Sequence, residues 1–370
     1  MKIYDVIIIG GGVAGLCLAI QLAKKKHQIL LIEQRKYPFH KVCGEYVSME
    51  NWRFLEELGV PLTEMKLPRI NTINISAPNG YKISSPLDMG GFGISRYTLD
   101  HMLSIIAQNE NVTIEENSKV TEVHQINSFY EVKTHTSKHI GKIVAGSYGK
   151  AEPFFIKERE KAKANEYVAV KYHVKLNLPE NQIELHNFKN GYCGISKVDN
   201  NTYCLCYLTT SKNLVACNND IKVLEATVVK KNPHLRKYFT EAEFLFEKPL
   251  VISKIQFSKK NTYKKGILLI GDSAGVIAPL SGNGMSIAMR SSKLLAHYIL
   301  QHLSGFITKE ELIQLYSKDW RENFSSRIVL SKYLQYLFGS PFMTLTSLKI
   351  LKQFPCLFKK LISLTHGNTY

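Results

Sequence analysis

No apolar run in this 370-residue chain reaches the ~18–20 residues a membrane-spanning helix needs, which excludes a bundle of apolar transmembrane helices. No basic leader followed by a small-residue cleavage site flanks the apolar stretch at Val6, so the expected location is cytoplasmic. Internal repeats and low-complexity tracts are absent, which excludes a solenoid. The seven cysteines are odd in number and their spacings form no disulfide framework. Cys204-x-Cys206 sits in an alternating strand pattern with no further clustered ligands in the sequence, so no metal is expected. Acidic residues are few: 31 Asp and Glu against 48 Lys and Arg, a net charge of +17. That surplus favours an anionic partner. The basic residues are scattered along most of the chain and build no nucleic-acid module, so nucleic acid is not the expected partner.

The remaining composition is that of a globular protein, 45% hydrophobic and 21% charged, and the length suits two domains or one with a large insertion. Val6 to Ile9 is a continuous apolar run, as in a central parallel strand covered on both faces. Gly10-Gly11-Gly12 turns the chain, a helix is predicted from Val13 to Lys26, and Ile29 to Glu33 forms the next strand. Leu16, Ala19, Ile20 and Ala23 share one face of that helix, and its C-terminal lysines suit the helix dipole. Ser48 to Leu58 reads as a helix ended by Gly59, and Tyr97 to Asn109 as another. Ile70 to Ile83 reads as a hairpin around Pro78-Asn79-Gly80. Strands resume from Val112 to Val144.

From Phe154 to Val251 the pattern changes to short alternating strands: Val168 to Leu176, Ile183 to Phe188 and Thr202 to Thr209. Antiparallel sheet is the expectation here, in a second domain inserted into the first. Gly266 to Asp272 restores the parallel-strand pattern, a helix follows from about Gly284 to Leu300, and the segment beyond Lys309 is helical.

The glycine turn carries the first chemistry. It follows a strand, opens a helix and meets an acid at the end of the next strand, the context that gives G-x-G-x-x-G meaning. Gly10 permits the turn, Gly12 lets backbone approach a pyrophosphate, and Gly15 lets helix and strand pack closely. The helix N-terminus, worth roughly half a positive charge, faces the phosphates. Glu33 can accept hydrogen bonds from both ribose hydroxyls and would repel a 2′-phosphate. A second set is Gly271-Asp272 at the end of a buried strand, followed by Gly282-Asn283-Gly284-Met285. There a new helix can aim N–H groups at a flavin pyrimidine ring.

Across residues 1–45, the stretch Gly93-Ile94-Ser95-Arg96-Tyr97-Thr98-Leu99-Asp100 and the Gly271–Met285 segment, the chain resembles the p-hydroxybenzoate hydroxylase superfamily of flavoproteins. The loop Pro38-x-x-Lys41-x-Cys43-Gly44-Glu45 is similar to that of the geranylgeranyl reductase-like branch. The resemblance implies an α/β fold: a Rossmann-type FAD-binding domain (1–69, 93–153 and 252–305), an inserted antiparallel β-sheet substrate domain (70–92 and 154–251) and a C-terminal helical region (306–370). It implies FAD as cofactor, with Gly10, Gly12, Val13, Ala14, Gly15, Glu33, Gln34, Arg35 and Val120 in the binding set. Arg96 is implied on the pyrophosphate side, Gly271 and Asp272 at the ribityl and pyrophosphate region, and Gly282, Gly284 and Met285 at the pyrimidine edge. Cys43 and Gly44 are implied beside the isoalloxazine ring, Cys43 and Glu45 are the catalytic candidates, and Tyr192 is the substrate-binding candidate.

Two departures bear on the reaction. Superfamily hydroxylases carry an Asp-Gly pair after the strand near 144, where this chain reads Val144-Ala145-Gly146-Ser147-Tyr148-Gly149. Geranylgeranyl reductases carry Y-x-W-x-F-P, and halogenases W-x-W-x-I-P, where this chain has Gly191-Tyr192-Cys193-Gly194-Ile195-Ser196. The expected function is therefore an FAD-dependent oxidoreductase acting on an apolar or lipid-like substrate, either reducing a carbon–carbon double bond or hydroxylating an aromatic ring. NAD(P)H or another reductant is the electron donor. A flavin-bearing binding protein without turnover is the rival from another class. From Tyr333 to Leu364, Leu, Phe and Ile alternate with Lys349, Lys352, Lys359 and Lys360. Such a segment suits either helices packed on the FAD domain or a basic amphipathic surface on an anionic membrane.

Overall fold

The computed structural model describes residues 2–156, 166–257 and 260–365. Residues 157–165 of the expected substrate domain and 366–370 of the expected helical region lie outside the described residues. The chain runs β1 (Ile3–Ile9), α1 (Val13–Lys24), β2 (Ile29–Ile32), β3 (Tyr46–Ser48), α2 (Trp52–Leu58), β4 (Arg69–Ser76), β5 (Lys82–Gly93), α3 (Arg96–Asn109), β6 (Thr113–Glu115), β7 (Val120–Ile126), β8 (Phe129–Thr134) and β9 (Lys138–Gly146). It continues with β10 (Tyr167–Lys175), β11 (Gln182–Phe188), β12 (Gly191–Lys197), β13 (Tyr203–Thr210), α4 (Ser211–Ala216), α5 (Ile221–Thr227), α6 (Pro233–Glu241), β14 (Glu243–Phe244) and β15 (Leu250–Ile255). It ends with β16 (Tyr263–Lys264), β17 (Ile267–Leu269), α7 (Gly284–Leu303), α8 (Lys309–Leu337), α9 (Pro341–Gln353) and α10 (Pro355–Thr365).

Two sheets organise these elements. The first has the order β16-β17-β9-β1-β2-β6, with β7 and β8 attached through β9. Its centre is parallel: Val6 pairs Ile29 and Ile143, and Leu268 pairs Ala145. Because α1 and its neighbours cover it, β1 and β2 are apolar at nearly every position, and ten of the residues of α1 are buried between sheet and helices. Gly59 ends α2 at φ +107, a conformation that favours glycine.

The second sheet has the order β14-β10-β13-β12-β11-β4-β5-β3, with β15 on β10. Its pairs are antiparallel except one. β4 and β11 run parallel, with Ile73 beside Ile183 and Ile75 beside Leu185. The expectation of a purely antiparallel sheet is corrected at this seam, where the hairpin of β4 and β5, reached early in the chain, joins strands reached much later. β15 carries this sheet to Ile255, past the expected boundary at 251, because Val251 and Ile252 pair with Val170 and Ala169 on β10.

The C-terminal helices divide their packing. Tyr316, Trp320 and Phe324 of α8 join the core of the first sheet. Phe338, Leu348, Leu351 and Phe358 join Ile75, Leu185 and Tyr192 of the second. The tail thus packs across both domains, not on the FAD domain alone. Among the described residues no helix is long and apolar enough to cross a membrane.

Candidate functional site

The glycine turn has the geometry its residues require. Gly10 adopts φ +105, and a Cβ there would sit 2.6 Å from the Ser147 carbonyl oxygen. A Cβ on Gly15 would sit 2.1 Å from the Gly10 carbonyl oxygen, so only glycine lets α1 approach β1 this closely. Gly15 therefore lies beneath the site. The space next to Gly12 faces two cations: a Cβ there would lie 3.5 Å from Lys41 Nζ and 3.6 Å from Arg96 Nη2. No side chain caps the N-terminus of α1 and no acidic residue stands in its first turn, whereas α3 and α8 are capped by Ser95 and Thr308. An uncapped helix N-terminus beside two cations suits a pyrophosphate.

Both cations are held by one carboxylate. Arg96 Nε and Nη2 donate to Asp100 Oδ1 and Oδ2, each at 2.7 Å, and Lys41 Nζ lies 3.3 Å from Oδ2. Two positive charges against one negative leave a net positive site. Burial opposes the Arg96 guanidinium's charge, but Asp100 outweighs it and raises its pKa. Burial pulls Lys41 below its ordinary value against the opposing effect of Asp100. Asp100 and Lys41 had no assigned role in the sequence. Their i+4 spacing to Arg96 and their place in the Pro38 loop were the available signals.

Glu33 follows β2, buried, with Oε2 accepting from Gly11 N at 2.8 Å and Oε1 from Arg35 N at 3.1 Å. Its carboxylate sits against the glycine turn, where an adenosine ribose would lie. Gln34, Arg35 and Val120 line the same end of a cavity of about 1020 Å³. Val13, Ala14, Gly271, Asp272, Gly282, Gly284 and Met285 line it as well. Gly271 adopts φ +58 and its N–H donates to Ser291 Oγ at 3.0 Å, which ties the end of the strand to α7. Where the superfamily's Asp-Gly pair is missing, Ser147 hydrogen-bonds back to the glycine turn, and Gly149 N donates to Ser273 Oγ at 2.9 Å.

Cys43, Gly44 and Glu45 form the loop between the glycine-turn side of this cavity and an apolar lobe. Cys43 is partly buried, and a Cβ on Gly44 would meet nothing within 4 Å, so its backbone fronts open space. Glu45, the other catalytic candidate, is held in place by three groups. It is fully buried at φ +57, and its carboxylate accepts from Arg96 N at 2.7 Å, from Lys171 Nζ, and interacts with His173 Nε2 at 2.6 Å. Burial alone would raise its pKa. The His173 hydrogen bond and the Lys171 charge overcome that and hold it at about 2. Such a group is a fixed anion, not a proton donor near neutral pH. It joins the loop, the start of α3 and strand β10.

Glu45, His173 and Cys204 bring three ligand-type atoms within 4.8 Å of one another. Charge there is already balanced by Lys171. Burial raises the Cys204 thiol well above its ordinary value, and its Sγ donates to the Cys43 carbonyl at 3.2 Å. The cluster is an ion-pair lock. Lys171 and His173 carry no motif and lie on β10, so the sequence offered only their alternation along a strand.

The far lobe of the cavity is apolar. Ile73, Ile75, Leu185, Tyr192 and Leu208 of the second sheet form one wall. Leu334 of α8, Phe338 just after it, Leu351 of α9, and Phe358, Leu361 and Ile362 of α10 form the other. Tyr192 is buried on this wall, and burial pushes its phenol well up.

Comparison with known proteins agrees with this geometry. Residues 5–41 match the FAD dependent oxidoreductase family and residues 194–355 the squalene epoxidase family. The chain is 25% identical over 338 residues to digeranylgeranylglycerophospholipid reductase of Methanococcus vannielii, covering 86% of this chain and 82% of that one. It is 24% identical over 374 residues to conditioned medium factor receptor 1 of Dictyostelium discoideum, covering 89% of this chain and 70% of that one. A flavin-dependent brominase has a similar fold, with a TM-score of 0.77 at 19% identity over 98% of this chain and 93% of that one. Fold, glycine turn and cation pair together define a flavoprotein that binds FAD. The chain is an FAD-dependent oxidoreductase, and its fold is of the p-hydroxybenzoate hydroxylase-like kind.

Proposed function

We propose that this oxidoreductase reduces a carbon–carbon double bond in a bulky apolar molecule of the isoprenoid or lipid class. The observation that carries this reading is the continuity of the cavity: the lobe bounded by Ile73, Ile75, Leu185, Phe338, Leu351 and Phe358 opens directly onto the Cys43–Glu45 loop. A wall of aliphatic and aromatic side chains binds apolar chains by burial, about 25 cal/mol for each Å² removed from water. The similarity to digeranylgeranylglycerophospholipid reductase supports the choice of substrate class.

FAD, when bound, supplies the hydride. The chain's own residues position it. Arg96, Lys41 and the N-terminus of α1 hold the pyrophosphate, Glu33 the ribose, and the lock at Glu45 fixes the loop between flavin and substrate. The apolar lobe excludes water from the reacting carbon. A proton must come from a group other than Glu45, which stays ionised.

A monooxygenase reading has its own support in the match of residues 194–355 to the squalene epoxidase family, which runs from within β12 through β13, α7 and α8 to the end of α9. Anaerobic turnover separates the two. Reduced protein mixed with an unsaturated polyprenyl lipid without oxygen should yield a product heavier by two hydrogens. Product that forms only with oxygen and gains one oxygen atom overturns the reductase reading.

A further inference from the structure

The helices that close the apolar lobe have a second face. On α9, Thr344, Leu348 and Leu351 are buried, while Phe342, Lys349 and Ile350 lie on the opposite side at i, i+7 and i+8 spacing and are exposed. On α8, Ile328, Ser331 and Gln335 point inward, and Tyr333 and Tyr336 are 71% and 78% exposed. On α10, Phe358 is buried and Leu357 and Leu364 are exposed, beside Lys359 and Lys360. Phe342 is 79% exposed and Phe354, between α9 and α10, 58%. α10 packs against both α8 and α9, so these outer faces belong to one helical layer. Large aromatic side chains left this open on consecutive helices are unusual for a face meeting water alone.

The charge on this layer has one sign. Beyond Glu322 the chain has no Asp or Glu and six Lys and Arg. Exposed aromatic and aliphatic side chains interleaved with lysines match an anionic lipid surface, with rings at headgroup depth and ammonium groups on phosphates. A protein partner would need acids to answer the lysines, and a second copy of this chain offers none from the same segment.

We propose that the outer face of the end of α8, α9 and α10 docks on an anionic phospholipid bilayer and sets the α10 wall of the apolar lobe against it. The placement rests on the apolar-substrate reading for its purpose, since such a substrate would reach the lobe from the bilayer between α10 and β5. There Lys359 Nζ lies 3.6 Å from Asp88 Oδ1, an exposed pair that can open at small cost. The docking itself needs no substrate.

The test is flotation of the full FAD-loaded chain with phosphatidylglycerol-containing vesicles and with pure phosphatidylcholine vesicles. The protein should float with the anionic vesicles, and the affinity should fall as salt rises. Lys349→Glu/Lys360→Glu and Tyr336→Ser/Phe342→Ser/Phe354→Ser should each weaken binding by at least about tenfold. Their bound-flavin absorption and melting temperature should match the parent. Lys349→Arg/Lys360→Arg should bind as the parent does, and the same charge reversal at Lys25 and Lys222 should matter far less. Equal loss from the Lys25/Lys222 variant, equal binding to neutral vesicles, or absence of binding overturns the proposal. So does a shift from oligomer to monomer on substituting the three aromatics, which would make the face a contact between copies. Vesicle binding without reduction of any polyprenyl lipid would overturn the substrate reading and leave docking intact.

Discussion

His173 Nε2 lies 2.6 Å from Glu45 Oε2, joining a strand of the inserted sheet to the loop that separates the FAD site from the apolar lobe. Lys171, two residues earlier on β10, engages the other oxygen of the same carboxylate. The two sheets are therefore tied through a loop that lines the cavity.

Glu45→Gln should leave the Lys171 ammonium buried without its counter-charge, at a cost of about 3–5 kcal/mol. Differential scanning calorimetry should register a large drop in melting temperature, with FAD released at a lower temperature than in the parent. The double variant Glu45→Gln/Lys171→Met should recover part of the loss, because it removes the uncompensated charge. A double variant no better than the single would show that the two groups are not coupled.

Gly12→Ala and Gly15→Ala should fail differently. The methyl at residue 12 would meet only the ends of Lys41 and Arg96, at 3.5 and 3.6 Å. Apoprotein stability should stay within about 0.5 kcal/mol, while FAD affinity, read by flavin fluorescence, should fall at least about tenfold. At residue 15 the methyl would meet the Gly10 carbonyl at 2.1 Å. Backbone must move there, and the apoprotein should lose about 1–3 kcal/mol or more.

Acidification should loosen the protein in two stages. Burial, with the nearby charges of His173 and Lys171, holds His40 at about 4, below its ordinary 6.5. The unfolded chain takes up that proton first, so this contribution is present at neutral pH and fades between 6.5 and about 4. Glu45 and Glu184 are both held at about 2 rather than 4.5. For Glu184, as for Glu45, burial alone would raise the value, and the hydrogen bond with His186 at 2.7 Å overcomes it. Their contributions, on the order of 3 kcal/mol for Glu45, persist above the ordinary carboxylate range and fade as pH falls through about 2. Denaturant midpoints measured across this range should fall monotonically. A His40→Phe variant should flatten only the upper stage.

Gly194→Phe tests the apolar lobe. Gly194 lines the cavity, and an added Cβ would make only ordinary contacts, 3.5 Å to Leu185 and 3.8 Å to the Cys206 carbonyl. The ring should fill space without disturbing β12. FAD content should match the parent, while oxidation of the reduced protein by a long polyprenyl lipid should slow at least about tenfold. An unchanged rate with long lipids would show that substrate binds elsewhere.

The FAD half was legible because its determinants are local. Gly10, Gly12 and Gly15 lie within six residues, Glu33 directly follows the next strand, and the apolar runs of β1 and β2 announce strands covered on both faces. Arg96 was readable too, but not its anchor: the pairing with Asp100 depends on one helical turn having the right rotamers, and Lys41 reaches that carboxylate from a loop 59 positions away. The surroundings of Glu45, a catalytic candidate by its loop, were hidden for a related reason. A glutamate beside Cys43 has the composition of an active-site loop, and only the arrival of Lys171 and His173 from β10 turns it into a buried anion.

The sequence by itself determined the dinucleotide turn, the helical tail and the alternation of the inserted strands, because each follows from backbone conformation and side-chain period within a dozen residues. The tertiary structure alone decided the parallel seam between β4 and β11, the lock at Glu45, and the closure of one apolar lobe by α8, α9 and α10. Those depend on contacts between segments separated by more than a hundred residues, where register and burial emerge only once the whole chain has folded.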